Sequence, residues 1–339
     1  MVSALLCFLW SFLIAVFAIP SIISVAHLKR LLDEPNLRTV HISLTPRLGG
    51  IAIFAGFTSA LTIFGDFDKE IQQVVAGSVI LFFIGLKDDI ITVSVFKKFF
   101  VQVLSAGIVV FIGDIRITDF YGILGWHEVP VGISYLFTFF VIIGITNAFN
   151  LIDGIDGLAG SIGVLICTVF GFFFYFEEVG NSGYFANLAF SLAGGLIGFL
   201  RYNINKAIIF MGDTGSLVCG FIVAVFAIKF IQFNFVPSSP TLAVATLIIP
   251  ITDTLRVFAI RVAKGRSPFS PDKNHIHHIL SSRGLSSISV VTIMVLVNLL
   301  FVIVGYMLKD VEPGIGLIVI ISLALLFSVF LEFYKNVKR

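Results

Sequence analysis

Apolar runs of about 17 to 25 residues, each closed by a short charged segment, recur along the whole chain, and that is the pattern of helices that cross a membrane. The runs fall at approximately 3–26, 49–65, 72–87, 97–113, 130–148, 157–176, 183–200, 214–232, 239–260, 288–308 and 314–334, which predicts about eleven spans in one domain, 1–339. A membrane β-barrel alternates polar and apolar residues along each strand, and these runs do not. The predicted fold class is an all-α polytopic membrane protein. The first run lacks a basic leader and a small-residue cleavage site, so it reads as a retained helix.

Composition sharpens this reading. Of 339 residues, 58% are hydrophobic and 12% charged, against roughly a quarter charged in a soluble domain, so the chain has too little polar surface to coat a water-soluble globule. Cys7, Cys167 and Cys219 lie within apolar runs without the paired spacing of a disulfide framework or zinc site. The net charge of +2 matters less than where the basic residues fall. If the first residue lies outside, 18 of the 22 Lys and Arg fall on the inner side, and only Lys69, Arg116, Lys229 and Lys309 on the other. That asymmetry predicts an outer N-terminus and a cytoplasmic C-terminus. The longest outer connection, 114–130, alternates around Gly122 and Gly125 and predicts a small periplasmic hairpin. Lys229 is expected to snorkel toward the outer head groups.

The carboxylates crowd the inner side. A charged group costs about 2.5 to 3.5 kcal/mol at the centre of a spanning helix, so a cluster at helix ends implies an aqueous site or a cation. Asp88 and Asp89 close the third run, Asp153 and Asp156 join the fifth and sixth, Asp213 opens the eighth, and Asp253 lies in the inner half of the ninth. Asn147, Asn150, Asp153 and Asp156 stand among glycines that let a backbone approach a ligand, and their oxygens suit a hard cation such as Mg2+. Asp213 precedes Thr214 and Ser216 at a helix start that favours phosphate, where the two hydroxyls either cap the helix or bind ligand. Pro271, Asp272, Lys273 and Asn274 lead into His275, His277 and His278, which with Arg261, Lys264, Arg266 and Lys273 form a basic loop fit for a diphosphate. Asp253 and Arg256, three apart, read as an ion pair.

These stretches resemble the polyprenyl-phosphate N-acetylhexosamine-1-phosphate transferases, glycosyltransferase family 4, which also holds the phospho-N-acetylmuramoyl-pentapeptide transferases. The resemblance is carried by Pro46-Arg47-Leu48-Gly49-Gly50, Gly85-Leu86-Lys87-Asp88-Asp89, the 147–160 segment, 203–216 and the His275–His278 motif, a core of about 41–280. It implies that Asp213 binds Mg2+ (or Mn2+) with Asn150 close by, and that Asp88 and Asp89 face the acceptor phosphate. It further implies that Asp153 and Asp156 help hold the nucleotide, that His275, His277 and His278 contact the donor diphosphate, and that Arg47, Asn147 and Asn203 lie at the substrate site. The His-Ile-His-His order points away from the pentapeptide branch.

The implied activity is transfer of an N-acetylhexosamine 1-phosphate, most simply GlcNAc-1-phosphate, from a UDP-sugar to undecaprenyl phosphate at the cytoplasmic face of a bacterial inner membrane, releasing UMP. Direct attack and a covalent Asp intermediate are both compatible with these residues. The partners implied are the two substrates and the bilayer, with no nucleic acid; Gly194, Gly195 and Gly198 would permit the close helix packing of a homodimer. A secondary transporter is the rival class, disfavoured because the polar groups gather at one face instead of the bilayer midplane.

Overall fold

The computed structural model describes residues 2–31, 45–177, 179–267 and 274–336. Among them the chain forms thirteen α-helices: α1 (Val2–Lys29), α2 (Gly49–Phe64), α3 (Lys69–Ile90), α4 (Val95–Gly107), α5 (Val131–Ile152), α6 (Leu158–Phe176), α7 (Ser182–Asn203), α8 (Gly212–Phe233), α9 (Ser239–Thr246), α10 (Ile248–Ala263), α11 (Ile276–Ser281), α12 (Ser287–Met307) and α13 (Pro313–Asn336). A π-helical stretch, Ile108–Ile112, continues α4.

All eleven apolar runs are helical, but not all are unbroken spans. Nine helical stretches among the described residues are long and apolar enough to cross a membrane; the run at 239–260 is a bent pair and that at 49–65 a short helix. At 16 residues, α2 reaches about 24 Å at 1.5 Å per residue, short of a ~30 Å hydrocarbon core. The ninth run bends by 72° between α9 and α10. Pro250 is the physical cause, because it has no N–H to give to the Thr246 carbonyl four residues back. Asn298 on α12 repairs the break, donating to that carbonyl at 3.0 Å while its own side-chain oxygen accepts the Ile249 N–H at 3.4 Å.

Helix α8 is the axis of the fold. Every residue from Thr214 to Phe230 is buried, as expected of a helix apolar on all sides that others surround. Helices α2, α3, α5 and α6 pack against it. Close crossing with α2 depends on glycine: a Cβ on Gly50 would lie 2.6 Å from the Gly215 Cα. The Gly194 and Gly198 stripe is consumed in the same way within the chain. Cβ atoms there would run into the backbone of Phe8 and the side chain of Ala15 on α1, so this stripe offers no face to a second copy.

The bundle has two polar ends. At one end the 114–130 connection folds as expected into a hairpin, with Phe120 N–H donating to the His127 carbonyl at 3.0 Å and Val129 N–H to Thr118 at 2.9 Å. Tyr121 anchors it to α8 by donating its hydroxyl to the Ile231 carbonyl at 2.7 Å. Lys229 does not snorkel at that end. It is buried, 2.9 Å from Glu70, because α3, α7 and α8 close over it.

Candidate active site

The opposite end collects the predicted acids. Three segments form its frame. The stretch before α2 pairs with the stretch before α8: Phe210 N–H donates to the Pro46 carbonyl at 2.8 Å, and the N–H groups of Gly49 and Gly50 donate to Phe210 and Met211 at 2.9 Å each. Gly212 turns with φ +72°, and a Cβ there would meet the Arg47 carbonyl and lie 2.5 Å from an Asp89 oxygen, so only glycine fits. This pairing carries Arg47 and Asp213 to the same end of the bundle.

Asp89 then caps α8 from the neighbouring helix. Its carboxylate accepts the Asp213 N–H at 2.8 Å, the Thr214 N–H at 2.9 Å and the Thr214 hydroxyl. These are free donors of the helix start, so the anion-binding end of α8 is already occupied by Asp89. Asp88, next in the chain, points elsewhere. One oxygen accepts the Val93 N–H at 2.5 Å, and the other is 3.0 Å from Lys98 Nζ. The same ammonium lies 2.6 Å from Asp213.

Asp213 is completed from α5. Asn150 Nδ2 donates to Ser216 Oγ at 2.7 Å and lies 3.3 Å from the remaining Asp213 oxygen. One turn earlier Asn147 forms a reciprocal amide pair with Gln102 of α4, at 2.8 and 3.2 Å. Asp88, Lys98, Asn150 and Asp213 thus converge from four helices, and the side chains of Asp88, Lys98 and Asp213 all keep partial access to solvent. The donor set is two carboxylates sharing one cation, with an amide and a hydroxyl beside them.

Asp153 follows α5, with its carboxyl pushed up to about 7 by loss of water, then by the charges of Asp213 and Asp89; Arg47 offsets part of the rise. Asp156 and Asn203 make structural bonds. Asp156 accepts the Ala207 N–H at 3.0 Å, while Asn203 accepts the Gly157 N–H at 2.8 Å and donates to the Ile209 carbonyl at 2.9 Å.

The His motif reaches this end from the other half of the chain. The residues before it, 271–273, lie outside the described residues. His277 is buried, and a Cβ on Gly154 would collide with its ring, so the two motif loops touch. Burial, with His278 beside it, holds His277 down at about 3, so it is neutral at ordinary pH. Its Nδ1 has no hydrogen-bond partner among the described residues. His275 stacks on His277 at 13° with ring centroids 5.6 Å apart, and His277 and His278 are 4.3 Å apart.

The sequence pattern gives no site role to Lys98, and it gives Asp253 a different partner from the one found. Lys98 counts there only among the inner basic residues, and the signal available is its place in the first turn of α4, among the exposed Phe96, Phe99 and Phe100. Asp253 does lie 3.6 Å from Arg256, but its closer partner is His275, at 2.9 Å.

A model described as glycosyl transferase family 4 matches residues 71–231, the part that carries Asp88, Lys98, Asn150 and Asp213. Over 341 aligned residues the chain is 30% identical to a protein of Bacillus subtilis (strain 168) named probable undecaprenyl-phosphate N-acetylglucosaminyl 1-phosphate transferase, covering 98% of this chain and 92% of that one. It is 29% identical over 324 residues to an undecaprenyl-phosphate alpha-N-acetylglucosaminyl 1-phosphate transferase of Escherichia coli O157:H7, covering 91% and 88%. The protein of that name in Escherichia coli (strain K12) is 31% identical over 262 residues, covering 76% and 71%. With 30% identity over nearly the whole of both chains and the family model matched across its middle, the chain belongs to glycosyl transferase family 4.

Proposed function

We propose that this protein transfers GlcNAc 1-phosphate from UDP-GlcNAc to undecaprenyl phosphate and releases UMP. The observation that carries the reading is the convergence of Asp88, Lys98, Asn150 and Asp213 at one end of a membrane bundle, next to a histidine loop, in a chain similar over nearly its full length to transferases of that name. The excess of basic residues on this side supports a cytoplasmic site in a bacterial inner membrane, with the N-terminus outside.

Among the described residues no three His, Cys, Asp or Glu side chains form a ready metal cage. Mg2+ needs none, because it takes one or two protein carboxylates and completes its shell with water and substrate phosphates. Asp213 and Asp88 already share one cation, Lys98, and supply hard oxygens, so the donor set fits the ion. Asp213 would hold it, with Asn150 alongside. When bound, the ion supplies charge neutralisation for the phosphoryl oxygens.

In the transfer, an oxygen of the acceptor phosphate forms a bond to the phosphorus that bears the sugar. The bond from that phosphorus to the bridging oxygen breaks, and the electron pair leaves with UMP. Asp88 orients the acceptor phosphate by way of Lys98, whose ammonium draws an anion into a site otherwise rich in carboxylates. An acceptor phosphate near its dianionic form needs little general base, so positioning and charge stabilisation carry the work. Asp89 maintains the start of α8 and with it the place of Asp213.

Purified protein incubated with undecaprenyl phosphate, Mg2+ and a panel of UDP-sugars is expected to release UMP with UDP-GlcNAc, to stop on chelation and to recover with Mg2+ or Mn2+. Absence of UMP with every UDP-N-acetylhexosamine overturns the proposal.

A further inference from the structure

The histidine loop is fastened from behind by contacts that the transfer chemistry does not use. Asp253 on α10 is fully buried and accepts from His275 Nδ1 at 2.9 Å and from the Ile276 N–H at 2.8 Å. His275 is left with Nε2 as its ring nitrogen without a partner among the described residues. Arg256, one turn further along α10, donates to the Asn274 carbonyl and pairs with Glu332 of α13 at 2.8 Å. Lys335 of α13 donates to the Asn274 side chain at 2.7 Å. At the far end of the loop Arg283 donates to the Tyr334 carbonyl, its guanidinium 5.1 Å from the centre of that ring.

Anchorage alone does not account for Asp253. A carboxylate taken fully out of water is costly, and a loop is held as well by neutral groups. A carboxylate accepts on both oxygens, so one side chain takes the His275 Nδ1 proton and the Ile276 N–H together, which orients the imidazole and leaves Nε2 to face a ligand. The ring so oriented lies parallel to His277, which in turn rests on Gly154 beside Asp153. The orientation set at Asp253 is therefore transmitted to the nucleotide side of the site.

We propose that Asp253 is a positioning residue for the donor diphosphate, acting through His275, with Arg256 and Glu332 holding the loop in register from the last helix. The proposal rests on the transferase reading above. In Asp253→Asn the amide keeps the shape but presents a ring nitrogen with a donor or a single acceptor, so the preferred tautomer and tilt of His275 are lost.

The test measures UDP-GlcNAc binding by calorimetry, and KM for donor and acceptor separately, in wild type, D253N, H275N, the double variant and E332Q. Disrupting an orienting partner typically costs about 10- to 100-fold, so D253N is expected to raise the donor KM at least about tenfold while the acceptor KM stays within about twofold. Because Asp253 acts through His275, the double variant is expected to be no worse than H275N alone. Equal rises in both KM values, an unchanged donor KM, or losses that add in the double variant overturn the proposal. If D253N does not purify in folded form, E332Q decides: a rise of about threefold in donor KM alone supports the proposal, and an unchanged value overturns it. A wild-type protein that neither binds UDP-GlcNAc nor releases UMP fails the transferase reading itself, and this proposal with it.

Discussion

Two lysines at opposite ends of the bundle separate a reactive centre from a staple. Lys98 lies 3.0 Å from Asp88 and 2.6 Å from Asp213, one ammonium against two carboxylates, with all three side chains partly open. Lys229 meets Glu70 at 2.9 Å and is only 5% exposed, with the rings of Phe185 and Phe233 at 5.1 and 4.4 Å. Asn181 closes that end by donating to both Glu70 and Asp68. The residue types are the same, but access to the ammonium differs: the Lys98 side chain is 23% exposed and that of Lys229 6%. The first cluster holds excess negative charge within reach of solvent and substrate, which is what a cation with its phosphate ligands would complete. In the second the ammonium is shut under aromatic rings against Glu70, so it holds α3, α7 and α8 together without forming a path across the membrane.

Four changes bear on that contrast, in order of expected size. Asp213→Asn keeps the volume and removes the charge; UMP release is expected to fall at least about 100-fold, the scale seen when one transition-state charge partner is lost, with little change in the melting temperature. Comparable loss of fold and activity would make Asp213 a structural residue instead. Lys229→Met should do the reverse. It leaves Glu70 without its cation, and since Glu70 is partly exposed the cost is about 2 kcal/mol, read as a melting point lower by about 5 °C with turnover retained.

Gly154→Ala probes the contact between loops. The new methyl group must displace His277, and overpacking of this kind costs about 1 to 3 kcal/mol, so donor KM is expected to rise about tenfold or more while acceptor KM holds. An unchanged donor KM would separate the His loop from the nucleotide. The effect that vanishes at neutral pH, and so comes last, is on acid stability. His277, with His275, His278 and Asp253 around it, sits at about 3 in the folded chain against an ordinary 6.5, so the unfolded chain takes up the proton first. Its contribution is intact above pH 6.5 and is lost as pH falls from 6.5 toward 3. His277→Asn is expected to flatten that acid slope in melting temperature measured across this range; an unchanged slope would show that His277 is hydrated.

Periodicity made the helices legible because a spanning segment must be apolar along its whole length. It did not show where a helix breaks, since the bend at Leu247 depends on Pro250 being repaired by Asn298, fifty residues away. The acids of the site were legible as residues but not as partners. Asp88 and Asp89 are adjacent in sequence, yet one turns to Lys98 and the other caps α8, a division set by which way each faces at the end of α3. Asn203 and Asp156 hold backbone groups of the neighbouring loops, a role invisible without the fold. The role of Lys98 and the closer partner of Asp253 were hidden for the same reason: each depends on a residue more than twenty positions away, Asp213 and His275.

The central claim, that the open cluster moves a sugar together with its phosphorus, is tested most directly by following both labels at once. UDP-GlcNAc carrying 32P in its β-phosphate and 3H in its sugar is incubated with the purified protein, undecaprenyl phosphate and Mg2+. The account predicts that both labels enter the lipid in equal amounts as unlabelled UMP is released. Entry of tritium without phosphorus, with labelled UDP left behind, would contradict it.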